Sequence, residues 1–263
     1  MKMVSSLMEI DMQVKQGFKE IISFIHQSLS TELTIETKSN RRDLVSNIDK
    51  EVEAMIRAKI KEHYPSHEII GEETKQTEEL QSLEHVWTID PIDGTTNFLK
   101  QIDHFCVLIS YYENNVGKLG YIYDVMNDDL YHAMENEGAF LNGVKIISPA
   151  PISLEDGLVS CDIGRWHTKS NFAKLVNQCF DIRNFGCGGI DSIHVFHGKF
   201  AAFVNSDSGP WDLAAQLIFA KELGLKMSKF DGSPVDYLVG GDYILANAGC
   251  YEDIVSIMKG YES

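Results

Sequence analysis

One short segment, residues 87–98, constrains the fold of this chain most strongly, and its sequence is WTIDPIDGTTNF. The apolar residues at its start favour a buried β-strand, and open sheets place ligands at the carboxyl ends of such strands. Asp90 lies at that end, and Pro91 is predicted to stop the strand. Gly94 and the threonines after it resemble the first turn of a short helix, where unpaired N–H groups attract anions. The segment therefore predicts a phosphate-binding site.

The same segment predicts metal ions beside that phosphate. A turn at Pro91 and Gly94 would bring the carboxylates of Asp90 and Asp93 together, with the backbone carbonyl of Ile92 between them. These are hard oxygen ligands, which suit Mg²⁺ or Mn²⁺. No His or Cys stands nearby at the spacing that a zinc site requires.

Other interpretations compete for these residues. A plain acidic turn could cap a helix, with Asp93 or Thr95 as the N-cap residue. The Asp-x-Asp-Gly-Thr nucleophile loop of aspartyl-phosphate phosphatases is similar, but here the first Asp lies one residue further away. A calcium EF-hand would need a Glu at the loop position occupied by Gln101. The longer pattern favours the metal and phosphate site.

Several linked motifs resemble those of the inositol monophosphatase family, whose members are Mg²⁺-dependent, lithium-sensitive sugar phosphatases. Residues 87–98 are similar to its first signature, residues 69–73 (IIGEE) to its upstream acidic element, and residues 209–215 (GPWDLAA) to its second signature. The similarity runs over nearly the whole chain, from residues 43–49 (DLVSNID) to residues 231–236 (DGSPVD) and 246–247 (AN). It implies a layered α-β-α-β-α sandwich of the sugar-phosphatase type, in the α+β or α/β class.

The resemblance also implies a set of metal ligands. The first ion would be held by Glu72, Asp90, Thr95 and the Ile92 carbonyl, and the second by Asp90, Asp93 and Asp212. Two or three Mg²⁺ ions are expected at the site, the third resting on Glu72 through water, and Mn²⁺ is possible. Independently of the family, four carboxylates in one pocket would repel one another and raise one another's pKa unless cations neutralised them.

The implied mechanism is an in-line attack of water on phosphorus, with two metals about 3.5–4 Å apart and no covalent phospho-enzyme. Glu72 would take the proton of a water on the first metal, assisted by Thr95, which Asp49 would orient. Asp212 would hold the water that protonates the leaving alkoxide. The amides of Gly94 and Thr95 would bind the phosphate.

Substrate contacts are implied for Asp93, Gly94, Thr95, Gly188, Asn205 and Asp212. The glycine-rich turn at residues 186–189 would lie against the ring of the substrate. Asn205 stands where animal members carry an acidic residue that contacts inositol hydroxyls, and an amide cannot accept from two hydroxyls as a carboxylate does.

Inositol monophosphate is thus the first expectation for the substrate. The alternative is a phosphatase of broader specificity that acts on the 2′-phosphate of NADP(H), on fructose 1,6-bisphosphate or on a nucleoside bisphosphate. A non-enzymatic regulatory binding module, of the kind found among bacterial relatives, is less expected. A scaffold has no physical reason to keep four mutually repelling carboxylates in one pocket.

Composition limits the other function classes. A formal net charge of −16 over 263 residues argues against a nucleic-acid or anionic-membrane surface. The five cysteines are widely spread without a Cys-x-x-Cys pair, which indicates reduced thiols. Because the sequence shows neither a signal-peptide pattern nor an apolar run long enough to span a membrane, we expect a cytoplasmic protein. The family resemblance adds a homodimer and sensitivity to lithium.

Two parts are expected along the chain. Apolar residues recur at helical spacing over residues 10–29 and 48–60, and strands are predicted at residues 105–112, 119–125 and 130–134. This N-terminal α+β half, residues 1–150, carries most of the predicted metal ligands.

After a proline-rich stretch, strands and helices alternate in a C-terminal α/β half, residues 151–263, which carries Asp212 and the substrate contacts. Strands are predicted there at residues 158–162, 200–204 and 243–248, and helices at residues 169–179 and 211–223. His194 and His197 lack acidic or cysteine partners nearby, so they are predicted to be helix-face residues rather than ligands. The acidic stretch of residues 74–85 is predicted to be a solvated loop.

Overall fold

The computed structural model describes residues 6–30, 34–37, 44–74, 82–161 and 170–260. Within them the helices are α1 Leu7–Ser28, α2 Asn47–His63, α3 Thr95–Lys100, α4 Ser170–Gln178, α5 Gly188–Phe196, α6 Pro210–Leu223 and α7 Tyr251–Met258. The first strands are β1 Ile35–Thr37, β2 Leu44–Ser46, β3 Glu68–Gly71, β4 His85–Asp93, β5 Cys106–Glu113, β6 Val116–Asp124, β7 Asp129–Met134, β8 Gly138–Leu141 and β9 Val144–Lys145. The remaining strands are β10 Leu158–Cys161, β11 Asp181–Arg183, β12 Ala202–Ser208, β13 Lys226–Ser228 and β14 Gly241–Ala246.

The strands form two main sheets. The larger follows the order β3-β4-β5-β6-β7-β8-β9, with β3 parallel to β4 and every later pair antiparallel. The smaller follows the order β11-β10-β12-β14-β13 and mixes parallel and antiparallel pairs. One sheet belongs to each half predicted from the sequence, although a shared core joins them. The division into residues 1–150 and 151–263 stays a prediction.

The helices complete five layers. α1 and α2 bury Phe18, Ile21 and Ile56 against the outer face of the large sheet. α5 and α6 lie between the two sheets, where Ile193 and Phe219 belong to the shared core. α4 and α7 cover the far side of the small sheet. The predicted α-β-α-β-α sandwich is confirmed.

The central strand β5 shows how one strand serves two layers. Val107 and Ile109 pack in the core beneath α1 and α2, whereas Cys106 and Leu108 pack in the core beneath α5 and α6. Successive side chains of a strand point to opposite faces. Because both faces are covered, β5 reads as a continuous apolar run instead of an alternating one.

The local predictions for the first half hold except at Pro91. β4 does not stop there but continues to Asp93, with a shift of register against β5 between Asp90 and Asp93. Asp90 lies opposite Leu108 and Asp93 opposite Cys106, so β4 carries one extra residue in a bulge.

The bulge explains how a proline fits inside this strand. β3 ends at the pair Gly71–Ile89, so no strand partner on that side needs the N–H group that Pro91 lacks. The extra residue also turns Asp90 and Asp93 to one face of the sheet, the face of Leu108 and Cys106. The proline redirects the strand and does not end it.

The helices and strands predicted for the second half are present, with small changes of boundary. The predicted ends at Asp162 and Lys169 lie outside the described residues, as does most of the acidic stretch, residues 75–81. His194 lies on α5, stacked between Phe185 and Phe200, and burial lowers its pKa to about 4. His197 ends the same helix. Among the described residues, no helix has both the length and the apolar character to cross a membrane.

Candidate active site

Four acidic residues converge where β3 and β4 end and α6 begins. β3 runs parallel to β4, so the chain leaves both strands at the same edge, and Glu72 follows directly after β3. The Glu72 N–H donates to the carbonyl of Ile89 at 3.2 Å, and its side chain shares a hydrogen bond with Asp90. Asp90 and Asp93 share one face of β4, as the bulge requires. The fourth carboxylate, Asp212, comes from the other half of the chain.

The start of α6 holds Asp212 in place. Gly209 is the N-cap residue and Pro210 opens the first turn, where its missing N–H costs nothing. The Gly209 N–H donates to Asp212 Oδ2 at 2.6 Å, so the carboxylate closes its own helix start. The ring of Trp211 covers Gly209, where an added Cβ would lie 2.5 Å from the ring. Trp211 itself packs on the shared core.

The electrostatics show how crowded these carboxylates are. The pKa of Asp90 is raised well above its usual value, first by burial and then by the charges of Glu72, Asp93 and Asp212. The pKa of Asp212 is raised to about 8, again by burial first and then by Asp93 and Glu72. Such a group releases its proton near neutral pH only if cations compensate the charge.

A second set of contacts surrounds Thr95 at the start of α3. Its hydroxyl lies 3.1 Å from the carbonyl oxygen of Ile92 and 3.3 Å from Asp49 Oδ1, to either of which it can donate. Asp49 is fully buried, and its other oxygen accepts from the Ser46 N–H at 3.0 Å. Asp49 therefore closes the N-terminus of α2 and faces Thr95 at the same time.

Gly94 connects the two acidic residues of β4 to α3. Its φ of +87° lies in the left-handed region, which favours glycine. An added Cβ would also lie 3.0 Å from the Cβ of Cys187. The turn therefore needs glycine for its backbone angle and for the close approach of α5.

The glycine-rich turn contacts Asp93 directly, a contact that sequence reasoning missed. The Gly188 N–H donates to Asp93 Oδ1 at 3.2 Å, and the Gly189 N–H donates to Oδ2 at 2.5 Å. The first turn of α5 thus holds this carboxylate with two orphan N–H groups. Residues so far apart in the chain carry no local signal of their pairing, although the glycines indicate a close backbone approach.

Asn205 lies on β12 at the other side of the site. It is half-buried, and its Nδ2 donates to Ser208 Oγ at 3.0 Å. Its neighbour across the sheet is Tyr243, which the sequence prediction did not assign to the site. The Tyr243 hydroxyl is near enough to Gly188 that an added Cβ there would lie 3.9 Å from it. Burial and the charges of Asp212 and Asp93 raise the pKa of Tyr243 well above its usual value.

The donor set fits divalent cations. Asp90 and Asp212 are carboxylates whose pKa values are raised by burial and by neighbouring negative charge, which is the condition that bound cations relieve. The surrounding donors at Thr95 and Ile92 are also oxygen atoms. Together with the five-layer fold, this site defines the class of metal-dependent phosphate-ester hydrolases.

Comparison with known proteins identifies the group within that class. The sequence model of the inositol monophosphatase family matches residues 3–260, and the chain belongs to this family. It is therefore a phosphatase, and solved structures of similar proteins are complexed with divalent metals.

Two curated relatives show the range of roles within the family. The inositol-1-monophosphatase of Bacillus subtilis (strain 168) is 36% identical over 253 residues, which cover 94% of this chain and 95% of the relative. The Nus factor SuhB of Escherichia coli (strain K12) is 31% identical over 230 residues, covering 85% of each chain.

Solved structures of similar proteins carry ligands. An IMPase/NADP phosphatase complexed with NADP and Ca²⁺ is 34% identical, with a TM-score of 0.93 over 99% of this chain and 98% of the other. An IMPase/NADP phosphatase complexed with Mg²⁺ and phosphate has 34% identity and a TM-score of 0.92 over 98% of both chains. A staphylococcal inositol monophosphatase-1 in a lithium chloride inhibitory complex has 34% identity and a TM-score of 0.93, over 99% of this chain and 98% of its own.

Proposed function

We propose that this protein is a Mg²⁺-dependent phosphomonoesterase that hydrolyses inositol monophosphate to inositol and phosphate. The observation that carries the proposal is the convergence of Asp90, Asp93 and Asp212 with Glu72, since burial first, and then the charges of Glu72 and Asp93, raise the pKa of both Asp90 and Asp212. An oxygen-only donor set supports Mg²⁺, with Mn²⁺ as a possible substitute. The inositol-1-monophosphatase of B. subtilis supports the choice of substrate.

The proposed ligands follow the sequence prediction. Glu72, Asp90, the Thr95 hydroxyl and the Ile92 carbonyl would hold the first ion, and Asp90, Asp93 and Asp212 would hold the second. When bound, the ions polarise the phosphate oxygens and lower the pKa of water. A third ion near Glu72 belongs to the same proposal.

The side chains of the protein supply positioning and proton transfer. Glu72 accepts the proton of the attacking water, and Asp49 holds Thr95 toward the same water through the 3.3 Å contact. The N–H groups of Gly94 and Thr95 bind the phosphate oxygens. Asp212 orients the water that protonates the departing alkoxide, an arrangement consistent with its fixed place at the start of α6.

The alcohol half of the substrate has a second candidate. Asn205 offers an amide where a carboxylate would accept two hydroxyl hydrogen bonds, and its Nδ2 is already engaged by Ser208. A similar IMPase/NADP phosphatase binds NADP. The 2′-phosphate of NADP(H) and fructose 1,6-bisphosphate are therefore alternatives for the same catalytic machinery.

One experiment ranks these substrates. Phosphate release is measured as kcat/KM with Mg²⁺, and with EDTA as the control, on inositol 1-phosphate, NADP⁺, fructose 1,6-bisphosphate and a nucleoside 3′,5′-bisphosphate. We expect the highest kcat/KM for inositol 1-phosphate, no release in EDTA, and inhibition of the Mg²⁺-dependent reaction by LiCl. A clear preference for another ester would overturn the substrate, and no release from any ester would overturn the proposal.

Assembly and location complete the proposal. We propose a homodimer with one active site in each chain, as the family resemblance implies. A cytoplasmic location is supported by the five free cysteines, because reducing compartments maintain thiols.

A further inference from the structure

Two cysteines that are not among the proposed Mg²⁺ ligands lie against the carboxylate of Asp93. Cys187 Sγ is 3.2 Å from Asp93 Oδ2, and Cys106 Sγ is 3.5 Å from the same oxygen. The two sulfur atoms are 3.6 Å apart. One oxygen and two sulfurs thus form a compact triangle whose members come from β4, β5 and the N-terminal boundary of α5.

The size of this triangle matches three corners of a tetrahedral metal site. Zinc ligands at about 2.3 Å for sulfur and about 2.0 Å for oxygen lie about 3.8 Å apart for two sulfurs and about 3.5 Å for sulfur and oxygen. The observed separations of 3.6, 3.5 and 3.2 Å are close to these values. An ion placed among the three atoms would reach all of them with little movement.

The backbone around the triangle is equally close-packed. An added Cβ at Gly189 would lie 2.4 Å from Cys106 Sγ and 3.1 Å from Asp93 Oδ2. Cys106 and Cys187 are both buried, whereas Asp93 is only half-buried and faces the site. The carboxylate side of the triangle is therefore the side from which an ion can enter.

We infer that Asp93, Cys106 and Cys187 form a binding site for one thiophilic divalent cation, such as Zn²⁺ or Cd²⁺. Thiolates prefer such ions, whereas the oxygen ligands beside them prefer Mg²⁺. The two thiol protons leave to solvent when the ion binds, because sulfur coordinates as the thiolate. A water molecule or a substrate oxygen completes the tetrahedron.

Occupancy of this site inhibits the phosphatase. Asp93 is a proposed ligand of the second Mg²⁺, and an ion on its Oδ2 pulls the same carboxylate toward the sulfurs and adds positive charge there. This consequence rests on the proposed function, but binding of the thiophilic ion does not. The two parts are therefore tested separately.

Binding is tested with Cd²⁺ alone, in the absence of substrate. Titration of the reduced protein is followed by the ultraviolet thiolate-to-cadmium charge-transfer band, and cadmium NMR of the wild-type complex reports the number of sulfur ligands. We expect one tight site per chain with two sulfur ligands. No charge-transfer band, or a cadmium signal typical of oxygen ligands only, would overturn the site.

Variants locate the ion. Cys106→Ser and Cys187→Ser should each weaken Cd²⁺ binding by at least about tenfold, because each removes one direct ligand. The matched control is Cys250→Ser, since Cys250 is also fully buried but bonds to the carbonyls of Ala201 and Asn247. An equal loss in the control, or none in the two site variants, would overturn the assignment. If a site variant fails to fold, the NMR measurement on the wild type still decides.

Inhibition is measured last, with Zn²⁺ added to the enzyme at saturating Mg²⁺. We expect the Zn²⁺ concentration that halves turnover to rise at least about tenfold in Cys106→Ser and to stay unchanged in Cys250→Ser. Cd²⁺ binding without inhibition would overturn the inhibitory role and leave the site intact. If the wild-type enzyme shows no turnover even before Zn²⁺ is added, the proposed phosphatase function is overturned, and the result of the Cd²⁺ titration still decides the binding site.

Discussion

Asp93 is the carboxylate of the site that the first turn of α5 holds directly. Its two oxygens accept the N–H groups of Gly188 and Gly189, and its charge helps to raise the pKa of Asp90 and of Asp212. Two backbone donors hold the carboxylate rigidly while it faces like charges. The cost of that repulsion is the reason to expect cations here.

Substitution of single acidic residues tests the ligand assignment. Asp212→Asn keeps an oxygen that can accept from Gly209, so we expect the fold to persist while kcat/KM falls at least about a hundredfold. Asp93→Asn should lose turnover equally. It should also lose about 1–3 kcal/mol of stability, because its NH₂ group would face the N–H of Gly188 or Gly189. Phosphate release and urea unfolding measure both effects.

The control for these variants is Asp181→Asn, which removes the same charge from an exposed residue on β11 that pairs with Arg183 and accepts from the Ile182 N–H. Exposed ion pairs contribute little, so turnover and stability should be close to wild type. Full turnover in Asp212→Asn would show that Asp212 is not a metal ligand.

At the scale of elements, a residue that caps the N-terminus of a helix can also contact the candidate site. α1 and α2 both begin with a capping box, built on Ser6 and Glu9 in one case and on Ser46 and Asp49 in the other. Only the second box touches the site, because Asp49 also faces Thr95. The two boxes allow a comparison of a helix cap that contacts the candidate site with one that does not.

Removing each cap separates stability from positioning. Ser46→Ala and Ser6→Ala should each lower the free energy of unfolding by about 1 kcal/mol, since each leaves a helix N–H without its acceptor. Only Ser46→Ala should also lower kcat, because Asp49 Oδ2 loses the Ser46 hydroxyl, 2.5 Å away, that fixes its orientation toward Thr95. Urea unfolding and kcat at saturating substrate give the two readouts.

Ser6 is exposed and far along the chain from the site, which makes Ser6→Ala the control for any general effect of destabilisation. An equal fall of kcat in both variants would mean that Asp49 does not position Thr95. No change of kcat in either would lead to the same conclusion.

At the scale of the whole molecule, the acidic pocket links metal binding to stability. Without metal, folded Asp212 keeps its proton up to about pH 8, whereas the unfolded chain releases it near its ordinary value of 3.8. The folded state then binds more protons than the unfolded state between these values, so its stability falls as pH rises through this window.

Buried histidines make the folding stability change with pH in the opposite direction, and they do so at lower pH. Burial lowers the pKa of His67 and of His194 to about 4, so their contribution to folding stability is lost as pH falls from 6.5 toward 4. A clean test of the carboxylates therefore lies above that value.

We expect the free energy of unfolding in EDTA to fall between about pH 6.5 and about pH 8, and the fall to be smaller in Asp212→Asn. Mg²⁺ should stabilise the wild type more at the higher pH, because it binds the deprotonated carboxylates. Urea unfolding with EDTA and with Mg²⁺ at both pH values measures this. A stabilisation by Mg²⁺ that is independent of pH would contradict the coupling.

Much of this architecture was predictable because it depends on local patterns. Helical spacing of apolar residues predicted α1 and α2, and turn residues such as Asn114 and Asp128, both with positive φ, separated the strands of the large sheet. The two signatures and the acidic element between the first helices and β4 identified the carboxylates that the fold brings together. Their roles as metal ligands stay predictions.

From the sequence by itself, periodicity predicted the main helices and strands, and the resemblance of contiguous motifs to a known family implied the five layers and the carboxylates of the pocket. Only the tertiary structure decided that β4 passes through Pro91 in a bulge, and that Cys106 and Cys187 meet at Asp93. Strand register and contacts between distant segments depend on how whole layers pack, and no local pattern encodes that packing.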